Sequence, residues 1–262
     1  MKGGLNPGGT MFEVSFDLAA LLIGAAFAAG FVDSIAGGGG LITLPVLLLA
    51  GASPLQALST NKVQGVFGAA TAALSYAASG HVNLRRQIGA ASLAFLAGLV
   101  GALLVSVLPT EGLRLGLPVV LIAIAAFFAF KKGLDDTDRV ERIRPAAFTA
   151  FVVPLIGFYD GLIGPGAGAF YMIGFVTLAG YGVLRATAHT KLLNFASNLG
   201  GLIAFAAIGA PWWKLGLAMG LAQVAGARIG SKLAMRVGAK VIKPLLVTTS
   251  TLLALRLIWQ ML

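Results

Sequence analysis

The chain contains no cysteine, which removes disulfides, thiol chemistry and cysteine-based metal sites. Its two histidines, His81 and His189, are too few and too far apart for a metal cage. Charge is scarce: 11% of residues are Asp, Glu, Lys or Arg, and nine of them are acidic. That leaves too little polar surface to wrap a soluble core. The glycine runs have no strand pattern before them and no Lys-Ser or Lys-Thr after them, so they are not phosphate loops. Residues 1–10 are glycine-rich with one lysine, and the apolar run behind them is long enough to stay, so no cleavable leader is expected. Nothing in these patterns calls for a cofactor.

What is present is apolar: 58% of residues, with a mean hydropathy of +0.93. This predicts an all-α polytopic membrane protein. Apolar runs lie at 16–36, 63–78, 89–108, 113–130, 146–163, 169–179, 192–207, 215–227 and 241–262, and the run at 169–179 and the half-span at 41–50 each follow a glycine cluster. A net charge of +10 does not point to nucleic acid, because the basic residues sit between apolar runs and not on a solvated face. They fit the rule that Lys and Arg stay with cytoplasmic loops.

The organising stretch is Gly30-Phe-Val-Asp33 followed by Ser-Ile-Ala and four glycines, Gly37, Gly38, Gly39 and Gly40. It recurs 127 positions later as Gly157-Phe-Tyr-Asp160, followed by Gly164, Gly166 and Gly168. Lys62 and Lys191 lie 129 apart. The chain therefore reads as a short segment over 1–15, a first repeat over 16–133, a hydrophilic linker over 134–145 and a second repeat over 146–262. In each repeat a helix, a glycine break and a half-helix make a hairpin, with three transmembrane helices after it. Irregular backbone survives at membrane depth only where it faces protein or a wet cavity. The alternative is a tight surface turn that allows close helix packing. If each hairpin enters and leaves on one side, 13 of the 19 Lys and Arg share a side, the repeats are inverted and both termini are external. The mixed charges of the linker read as a solvated face.

Asp33 and Asp160 are the two acidic residues deep in apolar segments, where an ionisable group is paired, neutralised or functional. Lys62 and Lys191 are the candidate partners. One reading makes them internal Asp33–Lys62 and Asp160–Lys191 pairs that hold helices together. The other makes the lysines an anion site. Its donors would be Thr60, Asn61 and Gln64 in the first half and His189, Thr190, Asn194 and Asn198 in the second, with Gly38, Gly39, Gly40, Gly166 and Gly168 around half-helix N-termini at Leu41 and Ala169. An intramembrane aspartyl protease would also need two carboxylates, but the glycines around these two do not suit it. Near the C-terminus, Arg228, Lys232, Arg236, Lys240 and Lys243 read as an anchor to membrane lipids, with an anion-attracting vestibule as the alternative.

Together Gly30-Phe-Val-Asp33 with its glycines, Thr60-Asn61-Lys62, Gly80-His-Val-Asn83 and Gly226-Ala-Arg-Ile-Gly230 resemble the sulfite exporter TauE/SafE family, also called the four-toluene-sulfonate uptake permease family. The resemblance runs from Phe16 to Leu262. It implies a transporter, not an enzyme: a bacterial inner-membrane carrier, often an exporter, of sulfite, thiosulfate, sulfoacetate and related organosulfonates. Protons are candidate co-ions and a second copy of the chain a candidate partner. By position, Asp33, the glycines 37–40, Asn61 and Lys62 match the first-half motif, and Asp160, Gly166, Gly168 and Lys191 the second. The chain departs from the pattern at Pro165, and at His189 where the first half has Thr60.

Overall fold

The computed structural model describes residues 13–105, 130, 135–208, 211–245, 247–248 and 251. The expected spans at 113–130 and 241–262, with Lys2, Arg114 and Arg256, lie wholly or largely outside the described residues. Among those described there are helices and no strand. In chain order they are α1 Phe16–Ala36, α2 Gly39–Leu49, α3 Pro54–Ala78, α4 Ile88–Val105 behind a short 3-10 turn at Leu84–Gln87, α5 Pro145–Leu162, α6 Ala167–Thr177, α7 Val183–Ile208 and α8 Trp213–Val237.

Local sequence accounts for most of the boundaries. Ser53 starts α3 with a capping box, its hydroxyl accepting from Gln56 N while the Gln56 side chain accepts from Ser53 N at 2.9 Å, and Pro54 occupies the first turn. In α5, residues Phe148–Val152 widen into a π turn just before Pro154, whose missing N–H breaks the regular ladder. The breaks are shorter than the glycine runs suggested. Gly37 and Gly38, at φ 81° and 92°, suffice to turn the chain, so α2 starts at Gly39 and not Leu41. In the second half Gly164 and Gly166, at φ 90° and 87°, do the same, and α6 starts at Ala167 and not Ala169.

The helices long and apolar enough to cross a membrane include Phe16–Ala36, Leu84–Val105, Pro145–Leu162 and Val183–Ile208. Large apolar side chains stand exposed on their outer faces, among them Phe16, Leu96, Phe151 and Leu155, as a lipid-facing belt requires. α2 and α6 have 11 residues each, about 16 Å of helix and half of a ~30 Å hydrocarbon core.

Packing is reciprocal between the halves. α1 lies against α8 as α5 lies against α4, α3 meets α8 as α7 meets α4, and α3 touches α7 at the centre. The start of α3 lies beside the residues after α7, since Thr60 Oγ1 accepts from Trp212 N at 2.9 Å. The start of α7 lies beside the residues after α3, where Gln87 reaches the His189 carbonyl. α3 and α7 therefore run in opposite directions. The first hairpin opens at the Trp212 end, where Val14 and Leu18 join Ala50, Ala52 and Leu215 in one apolar cluster. The second opens at the other end, where Arg142 N donates to the Leu178 carbonyl at 2.8 Å.

The linker is exposed, and it is also docked. Asp138 accepts from Gly182 N at 2.8 Å, and Asp136 accepts from Leu184 N and from Ala239 N at 2.9 Å each. Its carboxylates thus cap the start of α7 and clasp it to the residues after α8. Arg185 pairs with Asp138 and lies over the Tyr181 ring. Held by Gly182 N–H and Arg185, the Asp138 carboxyl titrates below its ordinary value of 3.8, although slight burial pushes the other way.

Candidate functional site

The two broken hairpins meet in the middle of the molecule. A Cβ added at Gly37 would lie 2.9 Å from the Ala169 amide nitrogen and the Gly168 carbonyl carbon, so the breaks cross with backbone against backbone. Beside this crossing is a cavity of about 30 Å³, room for roughly two waters. Asp33, Gly38, Gly39, Gly40 and Asn61 line it from the first half. Asp160, Gly166, Gly168, Asn194 and Asn198 line it from the second. The lining is mainly backbone, carboxylate and carboxamide.

The lysines stand behind this lining. Lys62 and Lys191 are each 1% exposed, and Asp160 is 2% exposed. The ion pair joins the halves and is not internal to one of them, as the pairing by repeat would have it. Lys62 Nζ lies 2.7 Å from Asp160 Oδ1, and Lys191 Nζ donates to the Asp33 backbone carbonyl. The reason is the crossing itself, which lays each hairpin's break over the long helix of the other half. Asp160 is fully engaged, its second oxygen accepting from Ser197 Oγ and from Asn198 Nδ2 at 3.2 Å. Asp33 is less so: its side chain accepts from Gly39 N at 3.0 Å, a carboxylate on the positive end of α2.

Among the described residues, two side-chain amides turn an NH2 group toward the cavity lining. Asn61 Oδ1 accepts from Thr43 Oγ1 at 2.7 Å and from Gln64 Nε2 at 3.3 Å, which turns its NH2 toward Gly40. Asn194 Oδ1 accepts from Asn198 Nδ2 at 3.1 Å, which leaves the Asn194 NH2 on the side of Gly168. Each half-helix N-terminus therefore has an asparagine N–H2 beside it. Other expected residues lie elsewhere. Thr60 ties down Trp212, His189 packs among Phe175 and Tyr181, and Gln64 sits behind Asn61. Thr190 Oγ1 is buried with no hydrogen-bond partner among the described residues. Missing from the expected set were Ser197 and Gln223, the latter lining the cavity from α8. Their signal was a polar residue on an otherwise apolar helix face at a repeat position whose counterpart is Gly68 or Ala94.

Residues 22–257 match the family model described as Sulfite exporter TauE/SafE. The chain belongs to this family. A Sinorhizobium protein named Probable membrane transporter protein ORF9 is 55% identical over 248 residues, 95% of each chain. The Escherichia coli K12 protein named Probable membrane transporter protein YfcA is 41% identical over 251 residues, 96% of this chain and 93% of its own. A Haemophilus influenzae protein, also named a probable membrane transporter protein, is 38% identical over 248 residues, 95% and 97% of the two chains. No solved structure matches. As a TauE/SafE chain with apolar spans, this is a membrane transporter.

Proposed function

We propose that this transporter carries a small sulfur oxyanion, sulfite in the first place, out of the bacterial cell across the inner membrane by alternating access between two inverted repeats. One observation carries the reading: both half-helix N-termini and the Asn61 and Asn194 NH2 groups converge on one cavity between the halves. Helix N-termini favour anions, and uncharged N–H donors suit an oxygen-rich one. The two buried ammonium groups offset Asp33 and Asp160, so the helix ends leave the site net positive. The opposite directions of α3 and α7 support the inversion. The small polar cavity favours an anion without an organic tail over an organosulfonate. Asp33, with one backbone donor and a place in the lining, is the best-placed group to carry a proton with the substrate.

The test is uptake of labelled sulfite, thiosulfate and sulfoacetate into proteoliposomes at set pH and membrane potential. Sulfite flux that competing sulfite saturates, with slower or no flux of sulfoacetate, is expected. Vesicles that take up none of the three refute the anion reading.

A further inference from the structure

The polar contents of the two halves differ in a way the duplication does not explain. α4 and α8 correspond at a separation of 129 residues: a Cβ at Gly30 would meet the Gln223 carbonyl oxygen at 2.6 Å, and one at Gly157 would meet that of Ala94 at 2.9 Å. Gln223 on α8 therefore has alanine as its counterpart on α4. In the same register Gln64 answers to Leu193 and Asn61 to Thr190. Gly68, on α3 opposite Gln223, leaves the space its amide needs, since a Cβ there would fall 2.2 Å from Gln223 Oε1. The α3–α8 interface thus holds a buried chain of carboxamides at positions where its counterpart has threonine, leucine and alanine. Thr190 shows what the second half lacks: the counterparts of Gln64 and Gln223 there, Leu193 and Ala94, carry no polar side-chain group, and the buried Thr190 hydroxyl has no hydrogen-bond partner among the described residues.

The chain has a direction. Gln223 Nε2 donates to Gln64 Oε1 at 3.2 Å, and Gln64 Nε2 donates to Asn61 Oδ1 at 3.3 Å. Thr43 does not set this direction, because its hydroxyl lies between the Gly39 carbonyl at 3.3 Å and Asn61 at 2.7 Å and can rotate to either. A carboxamide can turn over at little steric cost, so Asn61 presents NH2 or C=O to the cavity according to what its far side bonds. Gln64 donates to that far side and itself accepts from Gln223, which leaves the Asn61 NH2 on the cavity side. We propose that Gln223, acting through Gln64, is a positioning residue that holds the Asn61 NH2 toward the cavity as an anion donor. This rests on the anion reading given above. A C=O in that position would set an oxygen against an oxyanion. The residue that keeps the donor in place comes from the opposite half, so the orientation is secured while α3 and α8 remain packed.

The test is a kinetic cycle in proteoliposomes loaded with the full chain, using labelled sulfite. Gln223→Met keeps the length of the side chain and removes its N–H. It is expected to raise the KM for sulfite about tenfold, the value of one hydrogen bond to an anion, with Vmax within about twofold. In an Asn61→Ala background the same change is expected to move KM by less than about twofold, because the group it positions is gone. Gln64→Met should repeat both results from the middle of the chain, and it carries the test if Gln223→Met gives no folded protein by gel filtration. An unchanged KM, an equal rise in both backgrounds, or a fall in Vmax alone overturns the inference while leaving the anion site standing. Wild-type vesicles that take up no sulfite, thiosulfate or sulfoacetate overturn the site reading, and this inference with it.

Discussion

Replacing Lys62 with methionine removes an ammonium from the most enclosed charge pair among the described residues. Lys62 is 1% exposed and Asp160 2%, at 2.7 Å. Without it, Asp160 keeps Ser197 and Asn198, two neutral donors, and stays buried as an uncompensated charge. Breaking a buried pair by removing one partner costs about 3–5 kcal/mol. Lys191→Met is the internal control: its ammonium bonds a backbone carbonyl, so the loss is one charge-assisted hydrogen bond, about 1.5–3 kcal/mol. Lys62→Met is therefore expected to be the more damaging of two substitutions that look equivalent in the repeat. Asp160→Asn in the Lys62→Met background should restore about half of the loss, because it removes the stranded charge and keeps the contacts to Ser197 and Asn198. Chemical denaturation of the purified protein in detergent, followed by tryptophan fluorescence, measures all four stabilities. Equal losses for the two lysines, or no recovery in the double variant, would show that the pair across the halves is not what holds Asp160.

Gly37→Ala should fail at the crossing, since its φ of 81° strains any side chain and the Cβ meets the Gly168 backbone; loss of folded yield by about tenfold or more in gel filtration is expected, against a mild effect for Gly24→Ala, whose Cβ meets nothing within 4 Å. Thr190→Val replaces an unpartnered hydroxyl with a methyl of the same shape and should stabilise the protein by about 1 kcal/mol, seen as a higher melting temperature with sulfite uptake retained. Asp138 titrates below 3.8, so it adds stability at neutral pH that is lost as pH falls through its depressed value. The stability gap between wild type and Asp138→Asn should therefore be present at pH 7 and close in strong acid; a gap that persists there would remove the Gly182 and Arg185 contacts as its cause.

Spacing alone made several elements legible. The recurrence of Gly30-Phe-Val-Asp33 located both broken hairpins. Asn194 and Asn198, named from the sequence as second-half donors, do line the cavity. What spacing could not show was which half a side chain would face. Asp33 and Lys62 look like natural partners because they are near in sequence and share a repeat, yet the crossing at Gly37 and Gly168 gives each lysine to the other half. The polar residues at the starts of the long helices misled for a related reason. Thr60 and His189 each lie two residues before a buried lysine in sequence, but residues two apart on a helix point about 200° from each other, and these two serve a neighbouring helix end and an aromatic cluster. The linker's role was hidden as well, since a run of exposed Asp and Arg gives no sign that three backbone amides, at Gly182, Leu184 and Ala239, lie within its reach.

The exchange of charge partners bears on how the protein is made. A ribosome delivers α1 to α4 first, so the ammonium of Lys62 enters the bilayer before Asp160 has been synthesised. Until α5 arrives, Asp33 is the one carboxylate deep in an apolar segment of the amino-terminal half, and in the folded chain its side chain accepts from Gly39 N, not from Lys62. The amino-terminal half alone therefore lacks the carboxylate that Lys62 meets in the folded chain, and a product truncated before α5 is expected to be a target for the cell's membrane proteases.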